Sequence, residues 1–514
     1  MALSPSVVGV CTVVVVLVGW MYTKCTRNKL PCPPGPPGLP IIGNLLDIPE
    51  NPAWYKYMSW SEEYNSDLIR LNVLGSNILV ANTLEVASDL LEKRSANYSD
   101  RHEMTMLNEL CGYGWGLAFQ RYGGPWRDAR RLLRQEFDTE AAKKWRPTEE
   151  KASHVLLRNL LEKPSDVLNH LRHMAGAEIM EISYGIDVEP HDDPYILTAE
   201  RAVECISATT NAGSYLVDAL PILKYVPEWV PGANFQKEAR LWKASVMEML
   251  HKPFNVVKAQ IAAGVAHDCA MTAIIKSDAF KNASDKEYME DVLRSAVGSM
   301  YTGGADTTVS ALGSFFLAMV LYPEVQTKAQ AEIDSVCAGR LPEFSDLPLL
   351  PYVEAVVKEA LRWHPVVPLD VPHRSTKDDI YNGYFIPAGS LVVANTWAIL
   401  HDEEVYSDPL RFNPDRFMKD GELDPHVRDP RVAAFGFGRR VCVGRHMAYD
   451  SMWMAIVSTL ATFDIEKAKD ESGAPITPRE DYHEAFLCYP KPFPCVATPR
   501  SAEHRALIEL CHCQ

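Results

Sequence analysis

Between Phe435 and Ala448 the chain reads FGFGRRVCVGRHMA, placing one cysteine, Cys442, among glycines and arginines just before a helical run. No second cysteine lies at metal-site spacing from it, and neither Cys488 with Cys495 nor Cys511 with Cys513 makes a zinc pattern. Glycines at 438 and 444 would let the backbone wrap the sulfur closely. Free N–H groups and the start of a helix would then favour a thiolate. A second reactive grouping is Asp306 with Thr307, an acid beside an alcohol, preceded by Gly303 and Gly304 in an otherwise apolar stretch. Such a pair can hold a water and relay protons. The alternative is that Thr307 bonds its own i−4 carbonyl and bends a helix. Glu359 and Arg362 stand three apart, hence on one helix face, where an ordinary surface pair is the competing reading.

These groups need a large body to position them. The 514 residues are 47% hydrophobic, enough for a substantial core, and the formal net charge of −16 argues against a nucleic-acid partner. Twelve cysteines in so long a chain read as mostly free thiols rather than a disulfide framework. Residues 1–23 carry no charged side chain and are followed by Lys24, Arg27 and Lys29, the pattern of a transmembrane signal-anchor with its basic flank in the cytosol. Residues 24–44 form a basic, proline-rich hinge, since prolines at that density cannot extend a helix. No linker interrupts residues 45–500, which read as one body, and 501–514 form a tail.

Within that body, DLIRLNVLG and SNILVAN read as strands. Residues 126–265 are mainly helical, and 287–320 form a long helix with Val292, Ala296, Met300, Gly303 and Thr307 along one side. Further helices follow Pro323, span 352–363, and run from about Gly444 to Phe463. The expected class is mainly α with minor β behind an N-terminal transmembrane helix.

Five segments in order carry a resemblance: WRDAR at 126–130, GGADTT at 303–308, Glu359-x-x-Arg362, NPDRF at 413–417, and Phe435-x-x-Gly438-x-Arg440-x-Cys442-x-Gly444. Together they resemble the cytochrome P450 family of haem-thiolate monooxygenases over nearly the whole chain, particularly its fungal microsomal members of secondary metabolism. The resemblance implies the family fold, a long helix over a haem b, with Cys442 as axial thiolate ligand of the iron. A thiolate in that place pushes electron density onto the metal and favours O–O cleavage. The resemblance further implies that Arg440, Trp126, Arg130 and His373 hold the haem propionates, and that Phe435, Gly438 and Gly444 shape the ligand loop. Glu359, Arg362 and Arg416 would form a structural lock. Asp306 and Thr307 would deliver protons to dioxygen, the reading the resemblance favours. Val443 stands where relatives often have proline.

Family geometry also places Val366, Val367, Leu369, Asp370 and Phe486 near a small hydrophobic substrate. Asp370 is unusual there, because an unpaired carboxylate facing an apolar cavity costs several kcal/mol. Either it meets a basic or hydroxylated substrate or it turns to a local backbone donor, and the second is favoured. No flavin or nicotinamide motif is present. Electrons are therefore expected from NADPH–cytochrome P450 reductase, with cytochrome b5 as a further partner. Docking is expected near Arg127, Arg131, Arg439 and Arg445. The expected location is the endoplasmic reticulum membrane, single-pass, with the catalytic domain facing the cytosol.

Overall fold

The computed structural model describes residues 30–50, 52–210 and 214–511. Its axis is the helix Lys286–Leu321, 36 residues long. Asp285 caps it by accepting from the Tyr288 N–H, and Pro323 follows its end, where a helix cannot continue. Every residue from Thr308 to Val320 is buried. A helix apolar on all sides must be covered on all sides. The helices Gly124–Phe137, Val167–Tyr184, Pro351–Trp363 and Arg445–Thr462 all pack against it.

The expected N-terminal transmembrane helix has to be corrected. Residues 1–23 lie outside the described residues, and among the described ones a single helix is long and apolar enough to cross a membrane: Lys286–Leu321, at mean hydropathy 1.4. Two-thirds of that window (67%) is buried inside the fold. Its apolarity is therefore that of a core helix, matched to protein neighbours. The mainly α, minor β class holds.

The principal sheet has five strands in the order Leu68–Val73, Ser76–Ala81, Leu391–Ala394, His373–Arg374, Asp100–Arg101. The first two, read as strands from the sequence, pair as a hairpin turning through Leu74 and Gly75 at φ +50° and +88°. Ser76–Ala81 runs parallel to Leu391–Ala394, and the remaining pairs are antiparallel. Register matters most at the far edge, where Arg101 lies opposite His373. Two residues remote in sequence thereby reach the same end of the site. Near the C-terminus, the helix Ala502–Leu510 buries Ile508 and packs on Arg146–Glu162 and Arg445–Thr462.

Candidate active site

A cavity of about 350 Å³ opens between the central helix and the Phe435–Met452 region. Gly303, Gly304, Thr307 and Thr308 form one wall; Phe435, Cys442, Val443, Gly444 and Met447 form another. Of the nine free cysteines among the described residues, Cys442 is the one that lines it. Its sulfur is accessible toward this cavity and surrounded by protein elsewhere.

The loop holding Cys442 is built by its backbone. The Cys442 N–H donates to the Phe435 carbonyl at 2.8 Å, closing the turn. Gly438 has φ +55°, and a Cβ there would stand 2.1 Å from the Leu91 carbonyl oxygen, so no other residue fits. At Gly444 φ is −86° and a Cβ would meet no protein atom. Gly444 acts instead through its N–H. Burial pushes the Cys442 thiol up, while the Gly444 N–H, Arg130 and Arg445 pull it back toward the thiolate. Gly444 also caps the helix Arg445–Thr462, whose N-terminal dipole favours negative charge.

Three guanidiniums crowd the same cavity. Arg440 donates to the carbonyls of Ser99 (2.8 Å), Leu117 (3.1 Å) and Gln120 (2.9 Å), and lies 4.3 Å over the Trp126 ring. Arg130 donates to the Val441 carbonyl. Arg101 reaches the carbonyls of Ala118 and Val371. Burial pushes all three below the usual guanidinium range. Buried cations satisfied mainly by backbone carbonyls are short of negative charge. His373 brings no charge, because burial holds its imidazole well below the usual range. Its Nδ1 lies 2.6 Å from the Tyr98 carbonyl, an acceptor, so Nδ1 carries the proton and the buried Nε2 is left without a hydrogen-bond partner. A porphyrin with two propionates and an axial sulfur bond fits this donor set: a thiol facing the cavity and a cluster of buried cations beside it.

Asp370 lines the cavity beside Arg101, while Asp100 also acts on Arg101 and Arg440. The φ of Asp370 is +51°, its Oδ1 accepts from the Val371 N–H at 2.6 Å, and its Oδ2 stands 3.6 Å from His373 Nε2 without a hydrogen bond. Burial raises it and Arg101 opposes that. The local-turn geometry favoured from sequence is present, and Asp370 lines the cavity as well.

Asp306 and Thr307 part company. Thr307 faces the cavity and donates its hydroxyl to the Gly303 carbonyl at 2.7 Å, the i−4 bond weighed above as the alternative. Its oxygen keeps lone pairs for a water or ligand. Asp306 lies about 100° further round the helix and borders a small separate cavity with Arg172, Glu200 and Tyr301. Burial raises its carboxyl to about 6, with Arg172 opposing. Gly304 is needed for packing, since a Cβ would press on Ile179 at 2.8 Å.

Glu359, Arg362 and Arg416 meet far from solvent. Arg362 forms a two-pronged pair with Glu359, both contacts 2.8 Å, and Arg416 joins Glu359 at 3.1 Å. Asn413 N–H and the carbonyls of Leu400, Ser407 and Asp408 complete the set. Of the expected substrate residues, Val366, Val367, Asp370 and Phe486 line the cavity. Leu369 does not; it packs with Ala53, Tyr57, Trp60 and Ile69 under the sheet. Sequence reasoning gave Arg101 no charge role and passed over Glu178, which also lines the cavity. No local pattern marks either.

The sequence profile of the family Cytochrome P450 matches residues 33–495. A cytochrome P450 monooxygenase from Rhodocybe pseudopiperita, ple1, is 43% identical over 96% of this chain and 94% of its own length. The tryptamine 4-monooxygenase of Psilocybe cyanescens is 41% identical over 96% of this chain and 98% of its own. The monooxygenase claR of Ampulloclitocybe clavipes is 39% identical over 94% and 89%. The family cofactor, haem b held by an axial cysteine thiolate, matches the donor set described above. The chain belongs to the cytochrome P450 family, as a fungal haem-thiolate monooxygenase that inserts oxygen into organic substrates.

Proposed function

We propose that the cavity receives a small hydrophobic molecule beside Phe486, Val366 and Val367, and that Thr307 and Asp306 govern proton entry during its oxidation. The observation that carries this is the composition of the cavity wall, which brings apolar side chains, a thiol and guanidiniums together. Val366, Val367 and Phe486 line the same cavity as Cys442, Arg101, Arg130 and Arg440. Haem b, when bound, supplies the iron chemistry that activates dioxygen; Cys442 would be its axial ligand, and Arg130, Arg440, Trp126 and His373 its propionate anchors. Thr307 orients a water from the central helix. Asp306, raised to about 6, is a proton donor and acceptor near neutral pH, exchanging through the Arg172–Glu200 side.

Asp370 serves as a turn residue, because one oxygen is committed to Val371 and the other faces His373. Tryptamine, the amine named for the Psilocybe relative, would therefore gain no selective anchor here. NADPH–cytochrome P450 reductase supplies electrons, with cytochrome b5 as a second donor. Arg127, Arg131 and Arg439 are exposed, and Arg445 donates to the Cys442 carbonyl at 3.2 Å. Basic positions around that loop on a chain of net charge −16 suit an acidic partner. The endoplasmic reticulum membrane, with the body on the cytosolic side, is the proposed location. Leu216, Leu220, Ile222, Tyr225 and Trp229 are exposed within one short segment, as a membrane-facing surface would be. Protease added to intact microsomes should digest the body.

The deciding experiment is product formed per NADPH consumed with reductase, after a substrate screen by difference absorbance. Thr307→Ala should keep haem and substrate affinity and lose several-fold in coupling. Unchanged coupling would reduce Thr307 to helix packing.

A further inference from the structure

Glu178 borders the cavity from the helix Val167–Tyr184. It is buried, and its Oε2 accepts from the Ser451 hydroxyl at 2.7 Å. Behind it, on the helix Arg146–Glu162, Glu149 is 0% exposed, and neither of its carboxyl oxygens has a hydrogen-bond partner. An ionised carboxylate in such a place is disfavoured, so Glu149 holds a proton that an ordinary glutamate has lost, while Glu178, with its Ser451 hydrogen bond, exchanges its own near neutral pH. Burial raises Glu178 to about 7; once ionised, its charge raises Glu149 further.

The surroundings supply little compensating charge. On its own helix Glu178 has Glu181, which Lys151 holds at 2.8 Å. The helix Arg146–Glu162 brings Arg146 and Glu150 toward Glu149, and Arg146 is paired with Asp450 at 2.8 Å. The helix Arg445–Thr462 contributes Ser451 and Asp450. The central helix offers Thr307 and Thr308 to the shared cavity, while its Asp306 faces Arg172 and Glu200 in the separate one. The remaining helices, around Val257, Met271 and Ile274, meet Met180 and Ile182 in an apolar cluster.

We propose that Glu178, backed by Glu149, takes up a proton when a haem in this cavity is reduced. The inference rests on the haem reading above. The step balances: one electron, from the redox partner or an electrode, enters the iron, and one solvent proton binds a Glu178 oxygen, with no bond to carbon formed or broken. Its reason is electrostatic. An added electron in a low-dielectric cavity is opposed by a neighbouring carboxylate and is offset when that carboxylate is neutralised.

The test is spectroelectrochemical titration of the holoprotein between pH 6 and 9. The thiolate-type absorbance band of the reduced carbon-monoxide complex confirms in each variant that haem is in place. The native midpoint potential should fall as pH rises, and Glu178→Gln should flatten that dependence. The reduced-minus-oxidised infrared spectrum should contain a deuterium-sensitive carboxylic-acid band that Glu178→Gln removes. If Glu178→Gln fails to hold haem, Glu178→Asp should retain a pH-dependent potential with its inflection displaced. An identical slope in native and variant proteins, a flat native profile, or an infrared band that survives Glu178→Gln would overturn the proposal. Absence of the thiolate-type band from the native holoprotein would overturn the haem reading on which it rests.

Discussion

Two buried charge clusters in this protein are built on opposite plans. Glu359, Arg362 and Arg416 close on themselves: one carboxylate meets two guanidiniums, and the remaining donors end on named carbonyls. Around the cavity, Arg101, Arg130 and Arg440 end on backbone carbonyls; Asp370 acts on Arg101 alone, and Asp100, itself paired with Arg121, acts on Arg101 and Arg440. A closed network has nothing left to bind and serves as a lock. An open one, whose buried guanidiniums end mainly on neutral carbonyls, is shaped for an anionic ligand. The contrast separates structural charge from binding charge without reference to motif.

The contrast can be broken at several points. Cys442→Ala should abolish turnover and the thiolate-type band of the carbon-monoxide complex; a folded variant that kept the band would remove Cys442 from the site. Glu359→Gln leaves two buried guanidiniums without their carboxylate and should cost about 3–5 kcal/mol in urea unfolding, with or without haem. A loss below about 1 kcal/mol would mean that the closed network is no lock.

Arg130→Met should do the reverse. Apoprotein stability should change by no more than about 1 kcal/mol, while haem transfer to apomyoglobin should be ~10-fold more favourable, the worth of one charged hydrogen bond. A large apoprotein loss with unchanged haem retention would place Arg130 among the structural charges.

The acid pair is a third plan, satisfied by protonation. Glu149 is raised in the fold, so its contribution to stability is fully present below the unfolded value near 4.5 and is lost as pH rises toward the folded value. Glu149→Gln should therefore stabilise the protein by about 2 kcal/mol at pH 8 and change little at pH 4.5. Equal effects at both pH values would mean that Glu149 is not held protonated.

Much of the scaffold could be read directly from the chain. Two strand-like runs marked Leu68–Val73 and Ser76–Ala81, apolar spacing marked the central helix, and the i,i+3 pair Glu359–Arg362 lies on one helix face as expected. A Cβ at Gly438 would meet the Leu91 carbonyl whereas one at Gly444 would meet no protein atom, and only the position of Leu91, distant along the chain, makes that difference. Asp306 and Thr307 could be read as an acid and an alcohol, but adjacent helix positions diverge by about 100°, and the neighbours decide which one sees the cavity.

By itself, then, the sequence determined the local chemistry: a thiol in a glycine–arginine loop, a long apolar helix, and an ion pair at helical spacing. Those features depend on residues close along the chain. Tertiary structure alone decided that the long apolar helix is sheathed by protein, that Leu369 turns beneath the sheet, that Arg101 stands opposite His373, and that Glu178 and Glu149 are buried together. Each of these depends on which distant segment excludes water from a side chain, and that exclusion sets both its partners and its protonation.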